Sequence, residues 1–241
     1  MKKTVSLLCL ILLVQSAWSQ VLIALIFGDK LNSGKIEFGL MTGPGFTNIS
    51  NVEGDAKGGF NLGLYFNIRI SKNFYLHPEA IPKSALGAKG IPIYATPDAG
   101  VNTLFANGSI ERKIKSICVP LLARYRIYKT VFIEAGPQLD WNLKVQDVFK
   151  AEASDGNDLT YTSVVTKQYN WLSMGLAGGL SWRFKETRSS LSLGFRYYYG
   201  LTDIAKTTSG NQSHRGTFLF AYIPIGTNKA AKKKAAEQQV N

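Results

Sequence analysis

The chain has 241 residues, of which 12% are aromatic and only 18% charged, with 23 glycines and a formal charge of +12. Charge lies below the usual quarter of a soluble protein, and a mean hydropathy of -0.02 fits two cases, a soluble β protein or a barrel whose apolar residues alternate with polar ones. Past Phe27 no apolar run approaches the roughly 18 residues of a membrane helix, so a helical membrane protein is excluded for that part of the chain.

The N-terminus sets the compartment. Met1-Lys2-Lys3 is a short basic start, Val5 to Val14 is apolar apart from Ser6 and Cys9, and Ala17-Trp18-Ser19 puts small residues before Gln20. That layout predicts a secretory signal peptide over 1–19. Val21 to Phe27 resumes apolar character, and read with Val5 onward it would make an uncleaved anchor of roughly 20 residues. Gln15, Ser16, Ser19 and Gln20 interrupt that run and favour cleavage, leaving 20–34 as an N-terminal segment. Once Cys9 departs, Cys118 is alone, so no disulfide framework holds the fold. An exported basic chain meets lipid before nucleic acid. The expected partners are therefore outer-membrane lipid and lipopolysaccharide, and envelope or secretion-complex proteins, with no nucleic acid.

Eight strands are predicted in chain order: Lys35–Ile49, Gly59–Ile70, Phe74–Ala88, Lys113–Tyr128, Thr130–Gln146, Lys167–Phe184, Ser189–Ile204 and Gly216–Gly226. The second is the cleanest. Phe60, Leu62, Leu64, Phe66, Ile68 and Ile70 fall on one face, and Asn61, Gly63, Tyr65, Asn67 and Arg69 on the other. Ile117 to Ile127, Val131 to Val145 and Ser190 to Leu201 repeat the alternation. Most of these runs exceed the 5–6 residues of ordinary globular strands and approach the ~10 of membrane barrels.

The connections alternate too. Ser71 to Asn73, Lys129, and Lys185 to Arg188 are tight, whereas Asn51–Gly58, Lys89–Arg112, Asp147–Thr166 and Ala205–Arg215 are long and polar. Short turns at one end and long loops at the other predict an all-β, antiparallel transmembrane β-barrel of about eight strands over 35–226. Trp141, Trp171, Trp182, Tyr169, Tyr197 and Tyr199 are expected near the bilayer rims. Residues 227–241, rich in lysine and without large aromatic side chains, read as a basic periplasmic tail.

Two of these strands carry a resemblance. Ile117-Cys118-Val119-Pro120-Leu121-Leu122-Ala123-Arg124-Tyr125 and Phe132-Ile133-Glu134-Ala135-Gly136-Pro137-Gln138-Leu139 are similar to strands of the PorT-like outer-membrane β-barrel domain family of Bacteroidetes-type bacteria. Phe38 to Phe46 resembles that family's glycine-rich first strand, and the likeness spans about Lys35 to Gly226. It implies a barrel of about eight strands, no catalytic or cofactor residues, and a family link to protein secretion across the outer membrane.

The polar faces gather charge. Arg69, His77, Glu79, Lys83, Arg124, Arg126, Glu134, Asp140, Lys144, Arg183 and Arg196 are expected inside the barrel as a paired network, because an eight-stranded interior is just wide enough to be filled by side chains. The bases outnumber the acids, so the alternative is a narrow, anion-favouring pore. The chain's two histidines, His77 and His214, and its single remaining cysteine make no metal-ligand cluster. A lipid hydrolase at the rim would need a serine such as Ser213 and a carboxylate to converge on His214, and no spacing compels it. The expected function is a non-enzymatic structural or envelope-interaction role without catalytic, cofactor or metal residues. An accessory subunit of an outer-membrane secretion assembly is the alternative.

Overall fold

The computed structural model describes residues 31–96, 98–152, 158–206 and 210–226. The predicted signal peptide, most of the segment 20–34 and the basic tail 227–241 lie outside the described residues. The strands are β1 (Ile36–Ile49), β2 (Lys57–Arg69), β3 (Phe74–Lys83), β4 (Leu86–Ile91), β5 (Ser109–Tyr128), β6 (Val131–Glu152), β7 (Asp158–Val164), β8 (Leu172–Arg183), β9 (Ser192–Gly200) and β10 (His214–Pro224). One short helix, α1 (Ala99–Leu104), lies between β4 and β5, and a 3-10 turn (Thr166–Gln168) precedes β8.

All pairings are antiparallel. β1 pairs with β2, β2 with β3, β3 with β5, β5 with β6, β6 with β8, β8 with β9, β9 with β10, and β10 returns to β1. Eight of the ten strands among the described residues therefore close a ring, while β4 adds to the loop-side end of β5 and β7 to that of β6. Closure satisfies the backbone groups that an open sheet would leave facing lipid.

Period-two alternation decides the faces. On β2, Asn61, Tyr65 and Asn67 are buried inward, while Phe60 stands 51% exposed on the outside. Ile133, Leu176, Leu180, Leu193, Phe195 and Leu219 are likewise exposed large apolar side chains on the outer wall. Outside apolar and inside polar inverts the soluble pattern and gives the wall a lipid-compatible surface.

Small inward residues let the wall curl tightly. Gly136, between Glu134 and Gln138 on β6, is one: a Cβ there would stand 2.2 Å from the Leu121 carbonyl oxygen. Gly179 on β8 sits equally close, 2.2 Å from the Phe195 carbonyl oxygen.

The long-loop end is more ordered than the sequence suggests. The predicted strand Phe74–Ala88 splits into β3 and β4, and the predicted loop Asp147–Thr166 contains the end of β6 and all of β7. Ile110 to Ile114 pair with β4, and Gln146 to Glu152 pair with β7, so a four-stranded sheet projects beyond the ring. The rim aromatics divide: Trp171 and Trp182 are 65% and 47% exposed, but Tyr169 turns inward and is 6% exposed. Its phenol ring lies under Arg112 at 5.2 Å, which draws it off the lipid surface.

Candidate functional site

The middle of the barrel is filled by an ionic cluster. Arg196 on β9 donates from Nη1 to Glu79 Oε2 at 2.5 Å and from Nη2 to Glu79 Oε1 at 2.7 Å. The same guanidinium donates to Glu134 Oε1 from Nη2 at 2.6 Å and from Nε at 3.1 Å, and to the Tyr222 hydroxyl at 2.9 Å. His77 bridges Glu79 Oε1 at 2.7 Å and Asn67 Oδ1 at 2.6 Å. Arg124 donates to Asn67 Oδ1 and Ser181 Oγ, lies 4.4 Å from the Phe132 ring centroid, and is 3.9 Å from Glu134. Each of these charges is almost fully buried. Each charge has an opposite charge or hydrogen-bond partner, with Arg124 Nε and Glu134 Oε2 left without a hydrogen bond, and removal of one partner strands a charge.

Layers follow above and below. Towards the short turns, Arg183 Nη2 donates to both oxygens of Glu37 at 3.0 and 2.9 Å, and Glu37 also accepts from Tyr65 and Asn67. Towards the loops, Asp140 accepts from Gln138 at 2.8 Å and from the Tyr198 hydroxyl at 2.6 Å. Higher still the interior becomes apolar, with Leu86, Ile110, Ile114, Val145 and Phe149 buried. Arg112 and Asp147 join within this layer, between the Ile114–Val145 and Ile110–Phe149 pairs, through two hydrogen bonds of 2.7 Å, and Tyr94 donates to the same carboxylate at 2.9 Å.

Electrostatics in this outer layer follow burial and neighbours. Burial opposes the Arg112 charge, but hydrogen bonding and attraction from Asp147 hold the guanidinium above its ordinary value. Burial pushes the Tyr169 hydroxyl up to about 12, against the pull of Arg112. Glu111, on the outward face, loses some solvation, yet its hydrogen bond to Lys150 and the charges of Lys113, Lys150 and Lys57 hold its carboxyl below the usual range.

The structure brings Glu79, Arg124, Glu134, Asp140, Arg183 and Arg196 inside with His77, and places the other expected members elsewhere. Lys83 is exposed and lies over the Phe60 ring at 5.6 Å. A bulge explains it: Leu64 faces Ala80 but Leu62 faces Lys83, so β3 carries an extra residue and Lys83 flips outward. Lys144 is also exposed, because a second bulge at Leu143 puts Ser116 opposite Asn142 but Lys115 opposite Lys144. Arg69 ends β2 and is exposed beyond the filled interior, at the short-turn mouth. Arg126 is half-buried at that same mouth, where it donates to the Tyr75 hydroxyl and stacks on Tyr75 and Phe132.

Several interior residues escape a reading by alternation. Glu37 shares its face with Gly39, Gly43 and Gly45, which dilute the polar signal of β1. Tyr222 shares its face with Phe218 and Phe220, so β10 looks apolar on both sides. His214 lies at the start of β10 and is buried, and neither ring nitrogen has a partner among the described residues. Ser213 Oγ instead meets Ser50 Oγ at 2.9 Å and Arg215 Nη1 at 2.7 Å. Cys118 is buried inward opposite Asp140.

The chain is similar in fold to several solved structures. Ail, the attachment invasion locus protein of Yersinia pestis, in complex with the heparin analogue sucrose octasulfate, matches 79% of this chain and 99% of that one, at 11% identity and a TM-score of 0.43. Neisserial surface protein A matches 78% of this chain and 96% of that one, at 16% identity and a TM-score of 0.37. The outer membrane protein OprG from Pseudomonas aeruginosa matches 78% and 91%, at 11% identity and a TM-score of 0.33. No curated protein matches the chain by sequence. The sequence model of the outer membrane protein beta-barrel domain matches residues 23–206, and the chain belongs to that family.

Proposed function

We propose that the protein is a plugged, non-enzymatic outer-membrane barrel with a structural or envelope-interaction role, and that it works through the sheet it holds above the membrane rather than through its lumen. One observation carries the reading: Arg196 joins Glu79 on β3 to Glu134 on β6 across the interior. Hydrogen-bonded groups fill the cross-section there, the Arg112–Asp147 pair and apolar side chains fill it again further out, and both must come apart for an ion to pass. Planar-bilayer recording tests it. Purified wild-type protein should give no ion steps, and steady chloride-selective steps would instead establish the narrow anion pore.

The outer rim suggests lipid as one partner. Lys115 and Lys144 face each other across β5 and β6, both exposed, just beyond exposed Leu143. Like charges so placed are unfavourable unless an anion lies between or beside them, and headgroup phosphates of the outer leaflet, lipopolysaccharide included, supply one.

A second reading, an accessory subunit of a secretion assembly, is what the PorT-like resemblance implies. It is favoured by β7, whose residues are exposed or only half-buried and whose outer edge pairs with nothing among the described residues. Recovery of a secretion machine in a pull-down from the native envelope, lost on deleting 153–164, would support that reading over a stand-alone barrel.

A further inference from the structure

We propose that the short-turn mouth of the barrel, periplasmic in this orientation, is an oxyanion site fitted to a phosphate group, with Arg69, Arg126, Arg183 and Arg188 as its donors. The arginines converge from separate elements: the ends of β2, β5 and β8, and the connection between β8 and β9. Arg126 and Arg183 each place their guanidinium carbon 5.5 Å from the Phe132 ring centroid, one aromatic platform serving both. Arg188 is anchored by donating to the Ser33 and Gly34 carbonyls at 2.7 and 3.0 Å, and it lies within electrostatic reach of Arg69, Arg183 and Glu37.

The charge there is not balanced. Glu37 is the buried carboxylate of this end, and its oxygens are occupied by Arg183, Tyr65 and Asn67, while Glu186 is exposed in the β8–β9 turn and makes no ion pair among the described residues. Among the described residues, Arg69, Arg126 and Arg188 have no carboxylate within ion-pair distance. A second observation points to a missing acceptor. Arg183 is 7% exposed, yet its Nε has no hydrogen-bond partner, and the buried Nε of Arg126 has none either. A buried N–H without an acceptor is costly, and the planar guanidinium fork matches phosphate oxygens two at a time. Burial lowers the Arg188 value, and repulsion from Arg69 and Arg183 adds to that against the attraction of Glu37. A bound dianion would reverse the repulsion.

The phosphate has two possible sources, a soluble phosphate or the headgroup of an inner-leaflet phospholipid. The inference rests on the orientation of the barrel and not on the closed lumen, so a conducting barrel would leave it standing.

The test uses the full exported chain in nonionic detergent, titrated with inorganic phosphate at constant ionic strength and read by calorimetry and by the thermal unfolding midpoint. Wild type should bind phosphate and gain stability by mass action. Arg126→Gln and Arg188→Gln should each weaken binding by about tenfold, the scale of one charge-assisted hydrogen bond. Lys113→Gln/Lys150→Gln, exposed at the opposite end, should bind as wild type does. In a second arm the proteins are placed in phosphatidylglycerol or phosphatidylcholine vesicles. A stabilisation specific to phosphatidylglycerol and lost in Arg126→Gln/Arg188→Gln assigns the site to headgroups. Equal behaviour of wild type and that double variant towards both probes overturns the proposal.

Discussion

Arg196 and Glu79 are 117 positions apart in the chain, yet they meet inside the barrel through paired hydrogen bonds of 2.5 and 2.7 Å. Glu134 completes the cluster, and it does so chiefly through Arg196 rather than through its cross-strand neighbour Arg124, which stays 3.9 Å away. Glu134→Ala should therefore cost about 3–5 kcal/mol in urea unfolding from detergent or lipid, as expected for a buried ion pair deprived of one member. A double-mutant cycle should give a larger coupling between Glu134 and Arg196 than between Glu134 and Arg124. The reverse order, or a free-energy cost near zero, would mean that water in the lumen screens the cluster.

Gly136 makes a prediction about shape rather than charge. Its missing Cβ would meet the Leu121 carbonyl oxygen at 2.2 Å and the Leu122 Cα at 2.9 Å, both backbone atoms with nowhere to retreat. Gly136→Ala should destabilise the barrel by about 1–3 kcal/mol through forced movement of β5 against β6. Gly178→Ala is the control, because its nearest neighbour would be an ordinary contact at 3.7 Å. Equal unfolding midpoints for the two variants would contradict this account.

Tyr169 ties stability to alkaline pH. Its folded-state hydroxyl is pushed to about 12, chiefly by burial, above the ~10 of an unfolded tyrosine. A raised folded value means the contribution is complete below pH ~10 and is lost as pH climbs towards about 12. Hydrogen exchange at β7 and at the ends of β5 and β6 should accelerate over that window in wild type, and less so in Tyr169→Phe. Identical exchange profiles for the two proteins would remove Tyr169 from the explanation.

The wall of this barrel was legible because lipid outside and charge inside impose opposite demands on neighbouring residues. The run from Phe60 to Arg69 shows both demands in one strand, and the tight turn at Lys129 reveals which strands must be neighbours. Legibility fails where alternation is broken locally. The bulges beside Lys83 and at Leu143 each flip the remainder of a strand, and nothing in the residue types announces the extra position. It fails again where inward positions are glycine, as around Glu37, or aromatic, as around Tyr222, since polarity then no longer marks the inside. The outer sheet was missed for a related reason. Asp147 to Thr166 is polar enough to read as loop, yet Phe149 and the carboxylate of Asp147 turn inward once the Leu143 bulge has reset the register.

That register can be tested by shifting it. Deleting Leu143 and Lys144 together would set Val145 directly after inward Asn142, so Val145, Asp147 and Phe149, now buried, would point outward. The Arg112–Asp147 pair and the buried Phe149 would then be lost together, while the ring below Asn142 keeps its pairing to Ser116. The deletion protein should still insert and retain heat-modifiable gel migration, because the ionic cluster around Arg196 is untouched. Protease added from outside should cleave between β6 and β8 far faster than in wild type, and the base-dependent behaviour of Tyr169 should disappear as its hydroxyl loses the burial that raises it. Deleting Leu143 alone removes only the extra residue and should keep wild-type resistance. Unchanged resistance after the double deletion would show that these two outward positions do not govern which face of β6 the upper interior uses.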